Sequence, residues 1–581
     1  MGQVSDAGRI ENILGMRVIW DAPVEMDDGL VLRADIFLPE KDGSYPAIIT
    51  YGPYGKGLAF QDGYKSSWDR MVAAYPEITQ GSTCTLQNWE VVDPEKWVPD
   101  GYVCIRVDGR GCGRSPGGID IFSSRETKDF YDCIEWAATQ PWCNGKVGIN
   151  GISYYAINQW LVASRLPPHL AAICVWEGAA DWYRDWARHG GILSQFDASW
   201  FDRQVASRQH GVGERGGRSR VTGELVSGPD TLSPQILEEN RVVPHQEELK
   251  RPLDGPYYRE RTADISKVVV PLLSAANWGG MGLHTRGNFE GYLAAGSTQK
   301  WLEVHGDTHF GPFYRTAGID LQKRFFGHFL KGEDTGWDRQ PPVQLDIRRP
   351  GENFTTRAEQ EWPLARTQWT RYYLDPETRS LTTQPKQGDS IEYDATGDGV
   401  TFSLPVSDNE VEVTGPIAAR LLVSSETTDA DLFLALRLFD PSGTEVLFVG
   451  TNDPRVCIGL GWLRASQRKL DPERSLPHRP YHTHDEEWPL TPGEPVELLI
   501  EILPTCIAIP PGYRLALNIR GKDYENGLGA AKLPDELYTM KGVGPFIHAD
   551  AEDRPLNIFG GKYHLHFEAA KEPYLLLPII P

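Results

Sequence analysis

Apolar and polar positions change their period along the chain, and the changes mark out its organisation. Met16–Leu38 alternates in twos about Asp27-Asp28-Gly29, which predicts two strands joined by a tight hairpin turn. Ala47–Thr50 and Tyr102–Val107 are apolar runs of strand length. Glu126–Thr139 carries Phe130, Ile134 and Trp136–Ala138 at helical spacing, and Gln140-Pro141-Trp142 ends it. A strand at Val147–Asn150 leads into a further helical pattern from Tyr154. Leu170–Trp176, Val268–Ala276 and Lys300–His305 predict strands, with helices at Arg286–Ala295 and Leu321–Leu330. Strand and helix alternate, which predicts a mostly parallel sheet with helices on both faces. Lys300–His305 is expected to be its last strand.

Two segments break that alternation. Gly57–Lys96 is long, aromatic and irregular, and loops of this length usually serve function or pack on something else. Trp182–Val242 is rich in Trp, Arg, His and Gly, and predicts an inserted helical cap over the sheet edge with a mobile loop at Glu214–Arg220. After about residue 340 a period of two takes over, at Val343–Arg348, Trp369–Leu374, Ala418–Ser424, Asp431–Phe439, Val496–Ile502 and Tyr513–Ile519. That predicts an all-β sandwich. The expected divisions are 1–165 for the first part of the sheet domain, 166–265 for one more strand and the cap, 266–340 for the second part, and 341–581 for the sandwich.

Composition narrows the partners. The 581 residues are 40% hydrophobic and 24% charged, an ordinary globular mixture. With 58 basic against 80 acidic residues the formal charge is −22, which disfavours nucleic acid and anionic membrane. The N-terminal stretch MGQVSDAGRIENILGM lacks the basic and apolar regions of a signal peptide. No run approaches the ~20 apolar residues of a membrane span. The eight cysteines are scattered without CxxC pairs, several inside apolar runs, which fits buried thiols in a reducing cytoplasm.

The chemistry centres on Gly151-Ile152-Ser153-Tyr154-Tyr155-Ala156. A serine flanked by small residues between a strand and a helix reads as a nucleophile elbow, G-x-S-x-G with Ala156 for the second glycine. Such a serine needs a base and an oxyanion site. In the chain order Ser–acid–His the histidine follows the last strand, which selects His309 over His305 and His284. The acid is harder to place, because the loop Asn277–Leu283 after Val268–Ala276 has no carboxylate. Glu177, at the end of the preceding strand, is favoured, unless it only pairs with an arginine such as Arg184. Asp307, two residues before His309, is the alternative. The backbone N–H of Tyr154 is one expected oxyanion donor, and the phenol of Tyr54 could be a second. The glycine-rich Asp108–Ser115 lacks Gly-Lys-Ser/Thr and is expected to be a turn held by an Asp–Arg pair rather than a phosphate loop. His482–Glu487 has no metal-ligand spacing and is expected to be a solvated loop. No metal or cofactor is expected.

Pro53-Tyr54 after an early strand, YVCIRVDGRGCGRSPGG, ETKDFYDCIEWAATQPWCNGKVGINGISYYA and the late LRASQRK together resemble the CocE/NonD hydrolases, relatives of X-Pro dipeptidyl-peptidases and α-amino-acid ester hydrolases. The resemblance implies an α/β-hydrolase core, a helical cap and a C-terminal jelly roll. It implies Ser153 as nucleophile, His309 as base and Tyr54 as an oxyanion donor beside the Tyr154 N–H. The acid does not carry over: where the family has Gly-Trp-Tyr-Asp this chain reads Asn277-Trp278-Gly279-Gly280. The expected function is therefore a cytoplasmic serine hydrolase that cleaves a small-molecule ester or amide through an acyl-enzyme. A peptidase, an amidase or an acyltransferase of the same fold is the neighbouring reading. A catalytically inert protein that binds through its jelly roll is the reading from another class. Relatives leave room for a homodimer.

Overall fold

The structure, a computed structural model, describes residues 8–531, 540–568 and 571–581. The first seven residues of the stretch read above for a leader lie outside the described residues. In the first half of the chain the strands are β1 (Arg9–Ile13), β2 (Met16–Glu25), β3 (Val31–Pro39), β4 (Tyr45–Gly52), β5 (Val103–Asp108), β6 (Cys143–Ile152), β7 (Leu170–Trp176), β8 (Arg188–His189), β9 (Ile192–Leu193), β10 (Leu272–Asn277), β11 (Lys300–His305), β12 (Val343–Arg349) and β13 (Asn353–Glu359). All but the small β8–β9 pair form one eleven-stranded sheet in the order β1-β2-β3-β5-β4-β6-β7-β10-β11-β12-β13. From β5 to β12 neighbouring strands run parallel.

The burial of each strand explains its sequence. Every residue of β5 and β10 is buried, because helices cover both faces, so these strands read as unbroken apolar runs. β2, near the edge, alternates buried and half-buried positions and reads in twos. Gly29, at φ +81°, makes the β2–β3 turn that an L side chain would strain. The helix Ser124–Ala138 begins where the Ser123 hydroxyl accepts the Glu126 N–H at 3.2 Å. The Glu126 carboxylate reaches back to the N–H of Phe122 and takes the Tyr154 hydroxyl at 2.6 Å, fastening that helix to the next one.

Three expectations need correcting. Val343–Arg349 does not start the sandwich: it pairs in parallel with β11 and in antiparallel with β13, so the main sheet runs two strands past the expected end at 340. Its period of two reflects a position near the sheet edge, which local pattern cannot tell from a sandwich strand. Among the described residues Asp108 makes no ion pair with a guanidinium of its own turn. Its carboxylate accepts the N–H groups of Lys56 (2.6 Å) and Arg114 (2.8 Å), while Arg110 makes a two-pronged pair with Asp129 at 2.6 and 3.0 Å. Finally, His482 and His484 are buried rather than solvated. His484 Nδ1 lies 2.8 Å from Gln467 Oε1, and the backbone oxygen of His482 accepts from Arg184 at 3.0 Å.

The second half is a twelve-stranded antiparallel sheet folded around its own apolar core, as in a β-sandwich. Its longest strands, Val411–Ser425 and Val496–Ile509, pair along nearly their whole length. Cys506, Ala508 and Ile580 of this half pack with Trp278, Val304 and Leu345 of the main sheet, so the two halves share a core. The segment between β7 and β10 is the cap, built of short helical turns and the β8–β9 pair. Leu463–Lys469, the LRASQRK segment, clasps it. Arg464 pairs with Asp431 and Asp553 at 2.9 Å each, Arg188 of the cap takes the same Asp553 at 2.7 Å, and the Tyr183 hydroxyl donates to Gln467 at 2.9 Å. These ion pairs are buried and share partners, so they fix where the cap sits.

Candidate active site

β6 ends at Ile152, and the helix Tyr154–Ala163 begins two residues later. Ser153 bridges them at φ +57° and ψ −114°, a conformation that L residues rarely hold and that turns the side chain out of the sheet edge. Its N–H is held by the carbonyls of Trp176 and Glu177, both at 3.1 Å. The flanking small residues have direct causes. A Cβ on Gly151 would lie 2.5 Å from Tyr155 Cβ and 3.1 Å from the Glu90 carbonyl. On the far side Gly178 faces Ala156, where an added Cβ would come within 2.9 Å of the alanine methyl. Tyr154 opens the helix, so its N–H has no carbonyl of a preceding helical turn to bond.

His309 stands in the loop after β11, and its backbone N–H bonds the Thr451 carbonyl of the β-sandwich at 3.3 Å. Its Nδ1 lies 2.7 Å from Glu177 Oε2. Glu177 closes β7 at φ +50°, and its other oxygen takes Asn277 Nδ2 at 3.1 Å and His305 Nε2 at 3.3 Å. His305 Nδ1 in turn lies 2.7 Å from Glu303 Oε2. The order Glu303–His305–Glu177–His309 is thus an alternating chain of carboxylates and imidazoles, with Glu177 and both histidines nearly inaccessible to solvent. Arg184 takes no part in it and pairs with Asp181 and Asp254. Asp307 is also elsewhere, at φ +84°, accepting from the Tyr75 hydroxyl and from the Thr308 N–H. At Gly280 an added Cβ would sit 3.2 Å from both Thr285 Oγ1 and Thr451 Cγ2, in the angle where the sandwich closes on the sheet. His284 stacks on His309 with ring centroids 5.3 Å apart.

The charges follow from burial and neighbours. Burial would raise the Glu177 carboxyl, but the charge of His309 and bonds from His305 and His309 bring it down to about 2. Burial would lower His309, but the Glu177 charge and the bonds to Glu177 and Glu90 lift it to about 9. Burial likewise opposes and is overcome at His305, lifted to about 10 by Glu303 and Glu177. His284 is lowered to about 3 by burial and by the charge of His309 beside it, and stays neutral.

Ser153, His309 and Tyr54 line one cavity of about 590 Å³. The Tyr54 hydroxyl oxygen accepts from Trp200 Nε1 at 3.2 Å, which leaves its own proton free to donate, and burial keeps it protonated. The walls come from three parts of the chain: Tyr64 and Trp89 from the long aromatic loop, Phe196 and Trp200 from the cap, and Thr451 from the sandwich. Glu90 also lines the cavity, with Oε1 only 3.0 Å from His309 Nε2. The sequence reading passed over Glu90. The available signal was one carboxylate amid Trp89, Val91 and Val92, a setting that buries whatever it holds.

The profile of the X-Pro dipeptidyl-peptidase (S15) family matches residues 28–311, and that of the X-Pro dipeptidyl-peptidase C-terminal non-catalytic domain matches 335–570. The cocaine esterase of a Rhodococcus species is 25% identical over 86% of this chain and 90% of its own length. An α-amino acid ester hydrolase of known structure, 15% identical, superposes with a TM-score of 0.68 and so shares the fold. The crystal structure of a CocE/NonD family hydrolase from Staphylococcus aureus superposes with a TM-score of 0.84, covers 100% of this chain and 98% of its own, and is 30% identical. The chain belongs to the CocE/NonD family of hydrolases.

Proposed function

We propose that the protein is a serine hydrolase that cleaves a small-molecule ester through an acyl-enzyme. The observation that carries this reading is the 2.7 Å contact of Glu177 with His309 beside a cavity that Ser153 also lines. Neutral His309 takes the Ser153 proton as the oxygen attacks the ester carbonyl. Glu177 holds Nδ1–H and stabilises the imidazolium that forms. The Tyr154 N–H and the Tyr54 phenol receive the charge on the carbonyl oxygen. His309 then protonates the leaving alkoxide, and water activated by the same imidazole releases the acid. An amide would pass through the same steps, and acyl transfer follows where another nucleophile replaces water. The ester reading is preferred because no anchor for a peptide N-terminus stands out in the sequence. Eight buried, unpaired cysteines support a reducing compartment such as the cytoplasm.

A fluorophosphonate probe, followed by peptide mapping, tests the nucleophile. Labelling is expected at Ser153, together with turnover of p-nitrophenyl esters of short acyl chains. A protein that neither labels nor turns over any of them is not a serine esterase, and the inert binding reading then takes its place. Tyr54→Phe keeps the ring and removes the donor. It is expected to lower kcat by about 10²–10³ with little change in KM, the usual cost of one oxyanion donor. An unchanged kcat would remove Tyr54 from the mechanism.

A further inference from the structure

Glu90 sits where the reaction needs something else. For His309 to activate Ser153, Nε2 must face the serine hydroxyl, yet Nε2 bonds Glu90 Oε1 at 3.0 Å and Ser153 Oγ makes no hydrogen bond among the described residues. The placement is built in. Glu90 is 2% exposed, at φ +61°, and its carbonyl accepts the Ile152 N–H at 3.0 Å, so the residue is stitched to the strand that carries the nucleophile. Its second oxygen, Oε2, is buried and takes no hydrogen bond of ordinary geometry among the described residues, with the Trp89 indole N–H as its neighbour. With carboxylate oxygens on both ring nitrogens, His309 donates from both and is held as an imidazolium.

We propose that Glu90 is a positioning residue that competes with Ser153 for His309 Nε2, so that the base is released only when the Glu90–His309 pair gives up its shared proton. This inference rests on the serine-hydrolase reading above. In the step itself the Nε2 proton leaves to water, His309 becomes neutral, and the freed nitrogen lone pair accepts the Ser153 hydroxyl. Nothing is oxidised or reduced. Glu90 then stands beside the acyl position as an unpaired carboxylate and weakens further proton loss around it.

The groups that face this pair account for its charge. His309 meets Glu177 from the end of β7, Glu90 from the long loop and neutral His284 from the loop after β10. His305, behind Glu177, balances part of that negative charge. Around Glu90 stand the phenols of Tyr54, Tyr64, Tyr155 and Tyr314, all neutral at ordinary pH. Arg203 and Arg208 line the same cavity at its cap side. Burial pushes the Glu90 carboxyl up, and the bond and charge of His309 oppose that. The pair therefore persists from the pH at which Glu90 ionises to the pH at which His309 loses its proton.

The test is the pH dependence of kcat/KM between pH 5 and 10 for wild type, Glu90→Gln, Glu90→Ala and Ser153→Ala, with a p-nitrophenyl ester. In free enzyme the acid limb reports the base. Both Glu90 variants are expected to move that limb at least one pH unit toward acid, which raises kcat/KM near neutral pH by about tenfold relative to their own plateau. A purely packing role would lower the whole profile and leave the limb in place, and that result overturns the proposal. A variant that labels poorly with fluorophosphonate for lack of folding is corrected by active-site titration, and the limb position is independent of the folded fraction. If Ser153→Ala keeps turnover, the serine reading falls and this proposal with it. If Ser153→Ala is dead and the Glu90 limbs match wild type, only the role of Glu90 is wrong.

Discussion

Ser153→Ala lowers kcat by about 10⁵–10⁶ while the protein keeps its fold, the range expected when the nucleophile of a Ser–His–acid unit is removed. The size follows from the mechanism: without Oγ no acyl-enzyme can form, and only binding and oxyanion stabilisation are left to help water attack directly. The fold should survive because what holds the elbow is backbone. The Ser153 N–H bonds two carbonyls, its own carbonyl accepts from Ala156 (2.9 Å) and Ile157 (2.8 Å), and none of these bonds uses the hydroxyl. Alanine at φ +57° tolerates the turn about as well as serine does, since the strain belongs to the Cβ that both carry. The check is kcat on the ester that wild type turns over best, with thermal unfolding of both proteins. Loss of less than tenfold would mean that the attacking group is not Ser153. Loss with a large fall in melting temperature would mean that the hydroxyl serves structure.

How much of this could be read in the chain differs from element to element. The elbow is local: strand, small residue, serine, small residue and helix lie within about a dozen positions, and local physics fixes the turn. The buried strands β5 and β10 announced themselves as apolar runs for the same reason. β12 did not, because whether a half-polar strand near an edge pairs with the sheet before it or the sandwich after it is decided by non-local hydrogen bonds. The buried His482 and His484 misled for a related cause. Their loop is polar in sequence, and only docking of the cap, whose Arg184 bonds the His482 carbonyl, with Gln467 bonding His484 from the loop's own half, removes it from water. For the site, the absence of a carboxylate in Asn277–Leu283 pointed back along the sheet to Glu177, because β7 and β10 are neighbours whose ends lie side by side. What that argument could not supply was Asn277, which fills the vacant side by bonding both Glu177 and the Asp307 carbonyl (2.8 Å). Nor could it supply Glu90, whose reach to His309 depends on how a forty-residue segment, in which the structure forms the helix Lys65–Ala74 rather than an irregular loop, folds over the sheet edge.

Glu177→Gln is the variant with the next largest effect, an expected loss of about 10⁴ in kcat near neutral pH, as when the acid of such a unit becomes an amide. The shape barely changes, so the loss is one of proton placement. Glu177 accepts on both oxygens: Oε2 from His309, and Oε1 from His305 and Asn277. An amide can accept on one side only. If its oxygen stays toward His305 and Asn277, its NH₂ faces His309 Nδ1, which must then be the unprotonated nitrogen. The proton moves to Nε2, and the atom that should take the Ser153 hydrogen becomes a donor. If the amide turns over instead, its NH₂ meets both the Asn277 amide and a His305 that Glu303 keeps charged, and that repulsion buries an unpaired donor. Either way the base is lost or the chain behind it is disrupted. The carboxylate also raises the His309 pKa, so removing it shifts the remaining activity toward lower pH. Residual kcat in Glu177→Gln should therefore rise through an acid limb below that of wild type and reach a plateau about 10⁴ lower. A pH profile with melting curves checks both parts. A variant within tenfold of wild type across the range would mean that Glu177 only supports His309 in place and that catalysis does not draw on its charge.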